Sequence, residues 1–479
     1  MSTHGLKTFH KTTDVVTAIL QTIRRRLTPS QIVALGFVLV ILTGALLLCL
    51  PVAHAPGKRA FPLDALFTAT SAVCVTGLVT VTTATSWSFF GKVVILLLIQ
   101  TGGLGLTTLF AVAIVQMGRK VTLRERLTLQ ASFNLNDLSG MVRMLLLVIR
   151  GTLLAEGIGA ACLTVFFLRQ GLDWSRAVFS GIFHAISAFC NAGFDLIGDE
   201  GFIPFSGAMF FNLVITSLII LGGIGFTVWN ELYGMLRYRL SRGASRRARL
   251  SMHSKLALIS TALLLSLGTL YFLVYEFSNP GTLGPMPFGE KLLASYFQSV
   301  TLRTAGFFTI PQGALQEGSK LFSSVLMMIG GSPGGTAGGM KTVTLAVLLL
   351  SAWSTLKGRS HIDFFGRSLP VTSLQKALTV ALAMVFVWFL SSVALSFTEV
   401  NSAFPHTVLD ILFETSSALG TVGVSTGITP YLSAAGKVIL ILCMYIGRIG
   451  PLTLVVSVSR RTDSASEHIR YPNEDVLIG

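Results

Sequence analysis

Charged residues are scarce in this sequence. Lysine, arginine, aspartate and glutamate make up 12% of the 479 residues, whereas hydrophobic residues make up 52%. Because a soluble globular domain carries about 25% charged residues, this composition excludes an ordinary soluble enzyme or binding domain. The sequence instead predicts a polytopic membrane protein, in which long apolar stretches are solvated by lipid.

Groups that carry catalytic or metal chemistry are also few. The five cysteines form no CxxC pair and have no histidine at a metal-ligand spacing, which argues against disulfides and zinc. The apolar stretches lack paired acids, a histidine cluster and a serine–histidine couple, so we do not expect an enzyme. No GxGxxG pattern occurs, and Met340 stands between Gly339 and the lysine that a P-loop would need. We therefore expect this chain to bind no cofactor of its own.

The basic residues are spread along the chain and indicate membrane topology. The net charge is +15, but it forms no basic domain, so we expect no nucleic-acid partner. Of the lysines and arginines in polar connections, 24 fall on one side of the predicted membrane and nine on the other. This bias predicts that both termini are cytoplasmic. The outer side collects acids, which would attract cations: Asp64, Asp195, Asp199, Glu200, Asp410 and Glu414.

Eight apolar stretches are long enough to cross a bilayer, which takes about 20 residues. They cover residues 32–52, 91–115, 144–167, 207–230, 256–277, 321–350, 377–398 and 433–458. Within each successive pair lies a shorter, more polar segment that ends in a glycine turn: 61–80, 173–197, 287–310 and 405–427. The predicted fold is all-α, with eight transmembrane helices and four re-entrant helices.

The four glycine turns are spaced almost evenly. The glycines fall at 77, 193, 306 and 423, at spacings of 116, 113 and 117 residues. Such regularity indicates an internal repeat. We divide the chain into an N-terminal segment (1–31), repeat 1 (32–115), repeat 2 (144–230), repeat 3 (256–350), repeat 4 (377–458) and a C-terminal tail (459–479).

Four irregular turns at membrane depth imply a pore, because lipid cannot satisfy free backbone groups. Glycine lets successive carbonyl oxygens point the same way, and a ring of such oxygens can replace the hydration shell of a large cation. The predicted filter residues are Val75, Thr76 and Gly77; Asn191, Ala192 and Gly193; Thr304, Ala305 and Gly306; and Thr421, Val422 and Gly423. The alternative is that the glycines only allow close helix packing.

Repeat 3 carries a second, longer glycine cluster that we interpret as a gate. Its residues are Gly330, Gly331, Ser332, Pro333, Gly334, Gly335, Thr336, Ala337, Gly338 and Gly339. So many glycines should unwind the helix, and the resulting loop could obstruct a pore. Arg448 is expected to project below the filter and to donate to the loop carbonyls, and Lys341 could act similarly. The alternative for the loop is that it only kinks the helix. The alternative for Arg448 and Lys341 is that their side chains extend to the cytoplasmic membrane interface.

Four further polar residues lie near the predicted filter. We expect Arg303 to point behind the filter and to pair with Glu414 or Asp195. Glu156 is expected to be a buried packing contact, with a place on an ion route as the alternative. Asn191 and His184 are expected to brace the second filter turn and not to bind a metal.

The motifs VCVTGLV, FCNAGFD, LRTAGFFT and LGTVGVST, with GGSPGGTAGGMKT and the terminal YPNEDVLIG, resemble the Trk/Ktr/HKT superfamily of potassium transporters. The likeness is strongest to the bacterial Ktr-type membrane subunit and covers nearly the whole chain. It implies one filter glycine per repeat, at Gly77, Gly193, Gly306 and Gly423, and K⁺ selectivity, because all four are glycine. It also implies that the loop in repeat 3 is the gate.

The resemblance implies partners and a location as well. We expect a homodimer in the bacterial plasma (inner) membrane, with a cytosolic nucleotide-binding ring of the RCK/KTN type on its cytoplasmic loops and tail. The nucleotide would bind that partner.

The predicted function is K⁺ uptake driven by the membrane potential, and coupling to Na⁺ is left open. The alternative is an alternating-access cation symporter, which would favour inverted repeats and acids at mid-membrane.

Overall fold

The computed structural model describes residues 28–105, 108, 141–240, 250–359, 361–400 and 404–450. Within these ranges the chain forms fifteen α-helices, four short 3-10 helices and one two-stranded hairpin. Most of the predicted N-terminal segment, the end of repeat 1, the end of repeat 4 and the C-terminal tail lie outside the described residues.

Each repeat begins with a long, unbroken helix. These helices are α1 (Pro29–Cys49), α5 (Met141–Arg169), α9 (Met252–Tyr275) and α13 (Val371–Thr398). Each contains an apolar span of 20 to 28 residues, and no other single helix in the described ranges is long and apolar enough to cross a membrane. A local signal begins α1: Thr28 and Gln31 form a capping box, and Pro29 occupies the first turn.

The second helix of each repeat is re-entrant. These helices are α2 (Pro62–Val73), α6 (Trp174–Phe189), α10 (Phe288–Thr301) and α14 (Val408–Gly420). They contain 12 to 16 residues. A rise of 1.5 Å per residue gives them lengths of about 18–24 Å, which is too short to cross a hydrocarbon core of about 30 Å. Their C-terminal halves are buried, so each ends inside the protein at its glycine turn.

The last part of each repeat is a helix that ends, within the described residues, at the second glycine cluster. Repeat 1 has the short α3 (Thr83–Ser86) and then α4 (Phe89–Leu104); repeat 2 has α7 (Met209–Gly223) and α8 (Phe226–Leu240); repeat 3 has α11 (Glu317–Met328) and α12 (Thr342–Leu356); and repeat 4 has α15 (Ala434–Ile449). The four 3-10 helices are Pro51–Ala53, Ile203–Phe205, Gln312–Ala314 and Thr429–Tyr431.

These breaks correct the prediction of continuous second spans at 91–115, 207–230 and 433–458. Gly105 and Gly450 end their helices at φ values of +82° and +88°. Gly225 has a φ of +98° and lies where α7 and α8 meet at 101°. Glycine adopts this left-handed backbone at little cost, so a helix ends at each of these three clusters as well as at the one in repeat 3.

Two equivalent ion pairs join neighbouring repeats at the start of the re-entrant helices. Lys320 contacts Asp410 at 2.8 Å, and Lys437 contacts Asp64 at 2.9 Å. Each lysine follows the filter glycine of its own repeat by fourteen residues, and each aspartate precedes that of the next repeat by thirteen. Two of the six outer acids that were expected to attract cations, Asp64 and Asp410, are therefore each paired with a lysine.

A buried glutamate joins the two outer helices in each of repeats 3 and 4. Glu276, after α9, accepts a hydrogen bond from the backbone N–H of Gln316, just before α11. Glu399, after α13, accepts from the N–H and hydroxyl of Ser433, just before α15. These bonds satisfy backbone N–H groups at the starts of α11 and α15 and connect them to the ends of α9 and α13. Between repeats 3 and 4 the hairpin pairs β1 (Ile362–Phe364) with β2 (Arg367–Leu369).

Candidate functional site

The four turns after the re-entrant helices have the same backbone conformation. The glycines Gly77, Gly193, Gly306 and Gly423 have φ values of +98°, +70°, +85° and +95°. Two residues earlier, Val75, Asn191, Thr304 and Thr421 have φ values between +52° and +70°. Left-handed conformations are costly for side-chain-bearing residues, and here they occur at one position in all four repeats. The repeat seen in the sequence is therefore a repeat of backbone geometry.

The four turns close into a ring in chain order. A Cβ atom added to each glycine would meet the carbonyl oxygen of the residue before the next glycine: Gly77 meets Ala192, Gly193 meets Ala305, Gly306 meets Val422, and Gly423 meets Thr76. The first three approaches are 2.6, 2.9 and 2.7 Å. Any side chain at these positions would displace a neighbouring carbonyl. The ring requires glycine both for φ and for space.

A hydroxyl group anchors each turn to the end of its re-entrant helix. In repeats 1 and 4 the hydroxyls of Ser71 and Ser417 accept from the N–H of the filter glycine at 3.0 Å. In repeats 2 and 3 the hydroxyls of Ser187 and Thr301 donate to the carbonyl of the residue after the glycine. Our sequence reasoning missed these residues. The signal was present as Ser-Ala, with the serine six residues before the glycine in repeats 1, 2 and 4.

The ring offers oxygen atoms and no metal-ligand cluster. Among the described residues, no group of three or more histidine, cysteine or acidic side chains could hold a metal ion. The hydroxyls of Thr76, Thr304 and Thr421 are buried in the turns and have no hydrogen-bond partner there. Carbonyl and hydroxyl oxygens are hard, neutral ligands that suit a weakly hydrated monovalent cation. The donor set therefore fits such a cation passing through the ring.

Two polar side chains of repeats 2 and 3 lie behind the ring. With its amide oriented to satisfy both acceptors, Asn191 donates to the carbonyls of Ala188 and Ile219 at 3.1 and 3.2 Å, which holds the second turn against α7. Arg303 is 8% exposed and donates to the hydroxyl of Thr261 on α9 at 3.3 Å.

The expected pairing of Arg303 with Glu414 or Asp195 is wrong. Glu414 accepts from groups of its own repeat, and Asp195 accepts from the N–H groups of Ile197 and Gly198. Both acids are satisfied locally, so neither needs the arginine.

Glu156 lies buried behind the second filter turn. Its carboxyl group accepts from the side-chain amide of Gln100 on α4 at 3.1 Å. The thiol of Cys190, three residues before Gly193, lies 3.9 Å from the other carboxyl oxygen. The described contacts give Glu156 no cationic partner. They support the expected packing role, in which it joins α5 to α4 and to the turn.

The glycine-rich loop of repeat 3 docks on the break in repeat 2. The N–H groups of Ser332 and Thr336 donate to the carbonyls of Gly223 and Gly222 at 2.9 and 3.1 Å. In return, the N–H of Phe226 donates to Gly334 at 3.0 Å. A helix end leaves such groups without partners inside the helix, and lipid offers none. The break in repeat 2 and the unwound loop in repeat 3 therefore supply hydrogen-bond partners for each other's backbone groups.

The same loop also contacts the filter turns. The hydroxyl of Thr336 donates to the carbonyl of Phe189, the last residue of re-entrant helix α6, at 3.1 Å. A Cβ atom on Gly338 would overlap the hydroxyl of Thr421 in the fourth filter turn. The loop thus extends from the end of the second re-entrant helix to the fourth filter turn, and repeats 2 and 4 lie on opposite sides of the ring.

Arg448 connects this loop to repeat 1. Its guanidinium group donates to the carbonyl of Thr336 in the loop and to that of Gly102 in α4. The predicted contact of Arg448 with loop carbonyls is therefore present. Lys341 donates to the carbonyl of Ala337, within the loop itself, at 2.7 Å. The loop and Arg448 together contact groups from all four repeats.

Comparisons with known proteins agree with this architecture. A family model for TrkH, described as a cation transport protein, matches residues 11–468. The chain is 42% identical over 454 residues to Ktr system potassium uptake protein B of Bacillus subtilis, covering 95% of this chain and 97% of that protein. It is 37% identical over 466 residues to potassium/sodium uptake protein NtpJ of Enterococcus hirae, covering 97% and 100%.

The solved structures include a similar fold. The potassium transporter TrkH from Vibrio parahaemolyticus matches with a TM-score of 0.64 at 19% identity, over 88% of this chain and 84% of that one. At this level of identity the match supports the fold.

Proposed function

Since the chain belongs to the TrkH family of cation transport proteins, we propose that it takes up K⁺ through the ring of glycine turns. The family consists of transporters, so the prediction that the chain is not an enzyme is confirmed. The resemblance to the Trk/Ktr/HKT superfamily is confirmed as well, and so is the predicted helical membrane fold with re-entrant helices, apart from the short hairpin between repeats 3 and 4.

The observation that carries the proposal is the cyclic approach of each glycine to the carbonyl before the next. Four turns with one conformation, closed in chain order, bring four backbone segments around one centre. Their carbonyl oxygens can replace water around K⁺, and smaller Na⁺ holds its hydration shell more strongly. The re-entrant helices end at the ring, so their partially negative C-terminal ends favour a cation there.

In this proposal the glycine-rich loop and Arg448 form the gate. The loop contacts the end of the second re-entrant helix and the fourth filter turn, and Arg448 connects it to repeat 1. A guanidinium group near the pathway also opposes the entry of a cation. Opening would require the loop to release Arg448 and the carbonyls of Gly222 and Gly223, and its glycines make such a rearrangement sterically cheap.

We further propose the assembly that the family resemblance implies. Two copies would form a homodimer in a bacterial plasma membrane, with their termini in the cytoplasm and a nucleotide-binding RCK/KTN-type ring beneath. Potassium and sodium uptake by the relative from Enterococcus hirae supports including Na⁺ as a coupled or competing ion.

Flux measurements on the purified protein in liposomes test the transport function. With K⁺ inside and an impermeant cation outside, we expect K⁺ efflux to set a potential that a voltage-sensitive dye reports. Protein-free liposomes give the baseline, and growth rescue of bacteria that lack K⁺ uptake gives a cellular measure. Folded protein that moves no K⁺ above this baseline, with or without Na⁺, would contradict the proposal.

A further inference from the structure

Glu414 is a buried carboxylate on the re-entrant helix of repeat 4, nine residues before the filter glycine. Its side chain is fully buried. It accepts hydrogen bonds from the N–H of Thr426 at 3.0 Å and from the hydroxyl of Thr429 at 2.7 Å, and the hydroxyl of Ser425 donates to it as well. All three donors lie on the chain that leaves the filter. Glu414 therefore ties the exit of the fourth turn to the helix that enters it.

His184 occupies the equivalent position in repeat 2 and makes the equivalent bond. It too is fully buried, and Nδ1 lies 2.7 Å from the carbonyl of Ser180, so that nitrogen carries the proton. Nε2 then accepts from the N–H of Leu196 at 3.2 Å. Leu196 and Thr426 both follow their filter glycines by three residues. A histidine in repeat 2 and a glutamate in repeat 4 thus each accept the backbone N–H three residues after the filter glycine.

Repeats 1 and 3 lack this bond. Thr68 stands at the equivalent position in repeat 1, and its hydroxyl has no hydrogen-bond partner among the described residues. Phe297 stands there in repeat 3 and has no acceptor. Because the ring runs in chain order, repeats 2 and 4 lie opposite one another. The hydroxyl anchors thus occur in all four turns, whereas this second bond occurs only in the opposite repeats 2 and 4.

We propose that Glu414 and His184 are positioning residues that set the ion selectivity of the filter. Each fixes, through one accepted N–H, the segment three residues beyond a ring glycine, and so limits how far the ring carbonyls can move toward a smaller ion. Neither side chain contacts the ring carbonyls directly. The inference rests on the proposed function, since it assumes that the ring selects K⁺.

The acceptor oxygen or nitrogen carries this role, and the charge of the carboxylate does not. His184 is neutral when its Nδ1 is protonated and its Nε2 accepts, yet it makes the same bond as Glu414. A glutamine at either position keeps an oxygen that can accept the N–H, while methionine at 414 and phenylalanine at 184 remove the acceptor and keep much of the volume. Phenylalanine is already tolerated at this position in repeat 3.

The test compares K⁺ and Na⁺ permeability in liposomes for Glu414→Gln, Glu414→Met, His184→Gln and His184→Phe. Loss of a hydrogen bond to a buried N–H should lower the K⁺ over Na⁺ ratio about tenfold in Glu414→Met and His184→Phe. The two glutamine variants should stay within about twofold of the wild type. Thr68→Val is the matched control: it loses a hydroxyl with no partner and should leave the ratio unchanged.

Gly77→Ala, measured in the same assay, separates this inference from the proposed function. If Gly77→Ala lowers the ratio while folded Glu414→Met and His184→Phe keep it, the ring is the filter, but Glu414 and His184 do not set its selectivity. If Gly77→Ala also keeps it, the ring is not the filter. A ratio that falls as far in Glu414→Gln as in Glu414→Met would overturn the role of the acceptor in favour of charge. His184→Phe carries the test alone should Glu414→Met fail to elute as a single species.

Discussion

Replacing Gly77 by alanine tests the ring at a single atom. The added Cβ would lie 2.6 Å from the carbonyl oxygen of Ala192 in the next filter turn. An ordinary contact between carbon and a carbonyl oxygen is about 3.3–3.6 Å, so the two turns must separate by about 0.7–1 Å. A binding constellation tolerates about 0.5 Å before its function suffers. The substitution should therefore disturb the site where K⁺ would lose its water.

Gly427 provides a matched control for the cost of the backbone conformation. Its φ of +101° is close to the +98° of Gly77, but a Cβ atom there would meet nothing within 4 Å. Alanine in this conformation costs about 1–2 kcal/mol at either position. Only Gly77→Ala also displaces the carbonyl group of a neighbouring filter turn. Any difference in ion selectivity between the two variants therefore reports the ring and not the strain.

We expect Gly77→Ala to lower the K⁺ over Na⁺ permeability ratio at least tenfold, which corresponds to about 1.4 kcal/mol. Gly427→Ala should keep the wild-type ratio. Both variants are purified, checked for a single species by size-exclusion chromatography, and measured in liposomes from the potential at zero current in mixed K⁺ and Na⁺ gradients. Equal ratios in the two folded variants would refute the assignment of the ring as the filter.

Further variants test the gate, the ion pairs between repeats and the turn anchors. Arg448→Ala removes both carbonyl contacts of the guanidinium group and should raise basal K⁺ flux in liposomes, as should deletion of residues 330–339; unchanged flux would count against the gate. Asp64→Asn leaves Lys437 largely buried without its ion pair and should lower stability by about 1–3 kcal/mol in thermal unfolding, and adding Lys437→Met should recover part of the loss. Ser417→Ala should lower K⁺ selectivity without stopping transport, because Gly423 loses its N–H acceptor.

Much of the architecture could be predicted from the sequence because its causes are local. Apolar length decides which segments can cross a bilayer, and the recurrence of a glycine in one frame decides where the re-entrant helices end. Only glycine meets the requirements at Gly77 and its three equivalents, which are a left-handed φ and no space for a side chain. The sequence therefore shows a glycine at this position in every repeat. Gly105 and Gly450 also have a left-handed φ and end their helices, but apolar length alone predicts that the spans continue through them.

The tertiary structure decided which residues meet across the ring. Lys437 and Asp64 lie 373 residues apart, and Arg448 and Gly102 lie 346 apart; they contact one another only because the fourth repeat closes against the first. Arg303 donates a hydrogen bond to a threonine on α9 and not to an acid, because the carboxylate of Glu414 already accepts hydrogen bonds from its own repeat. The sequence thus determined four similar turns, through local backbone chemistry. The closure of the ring decided which turns lie next to one another. It therefore also decided that His184 in repeat 2 and Glu414 in repeat 4 lie on opposite sides of the ring.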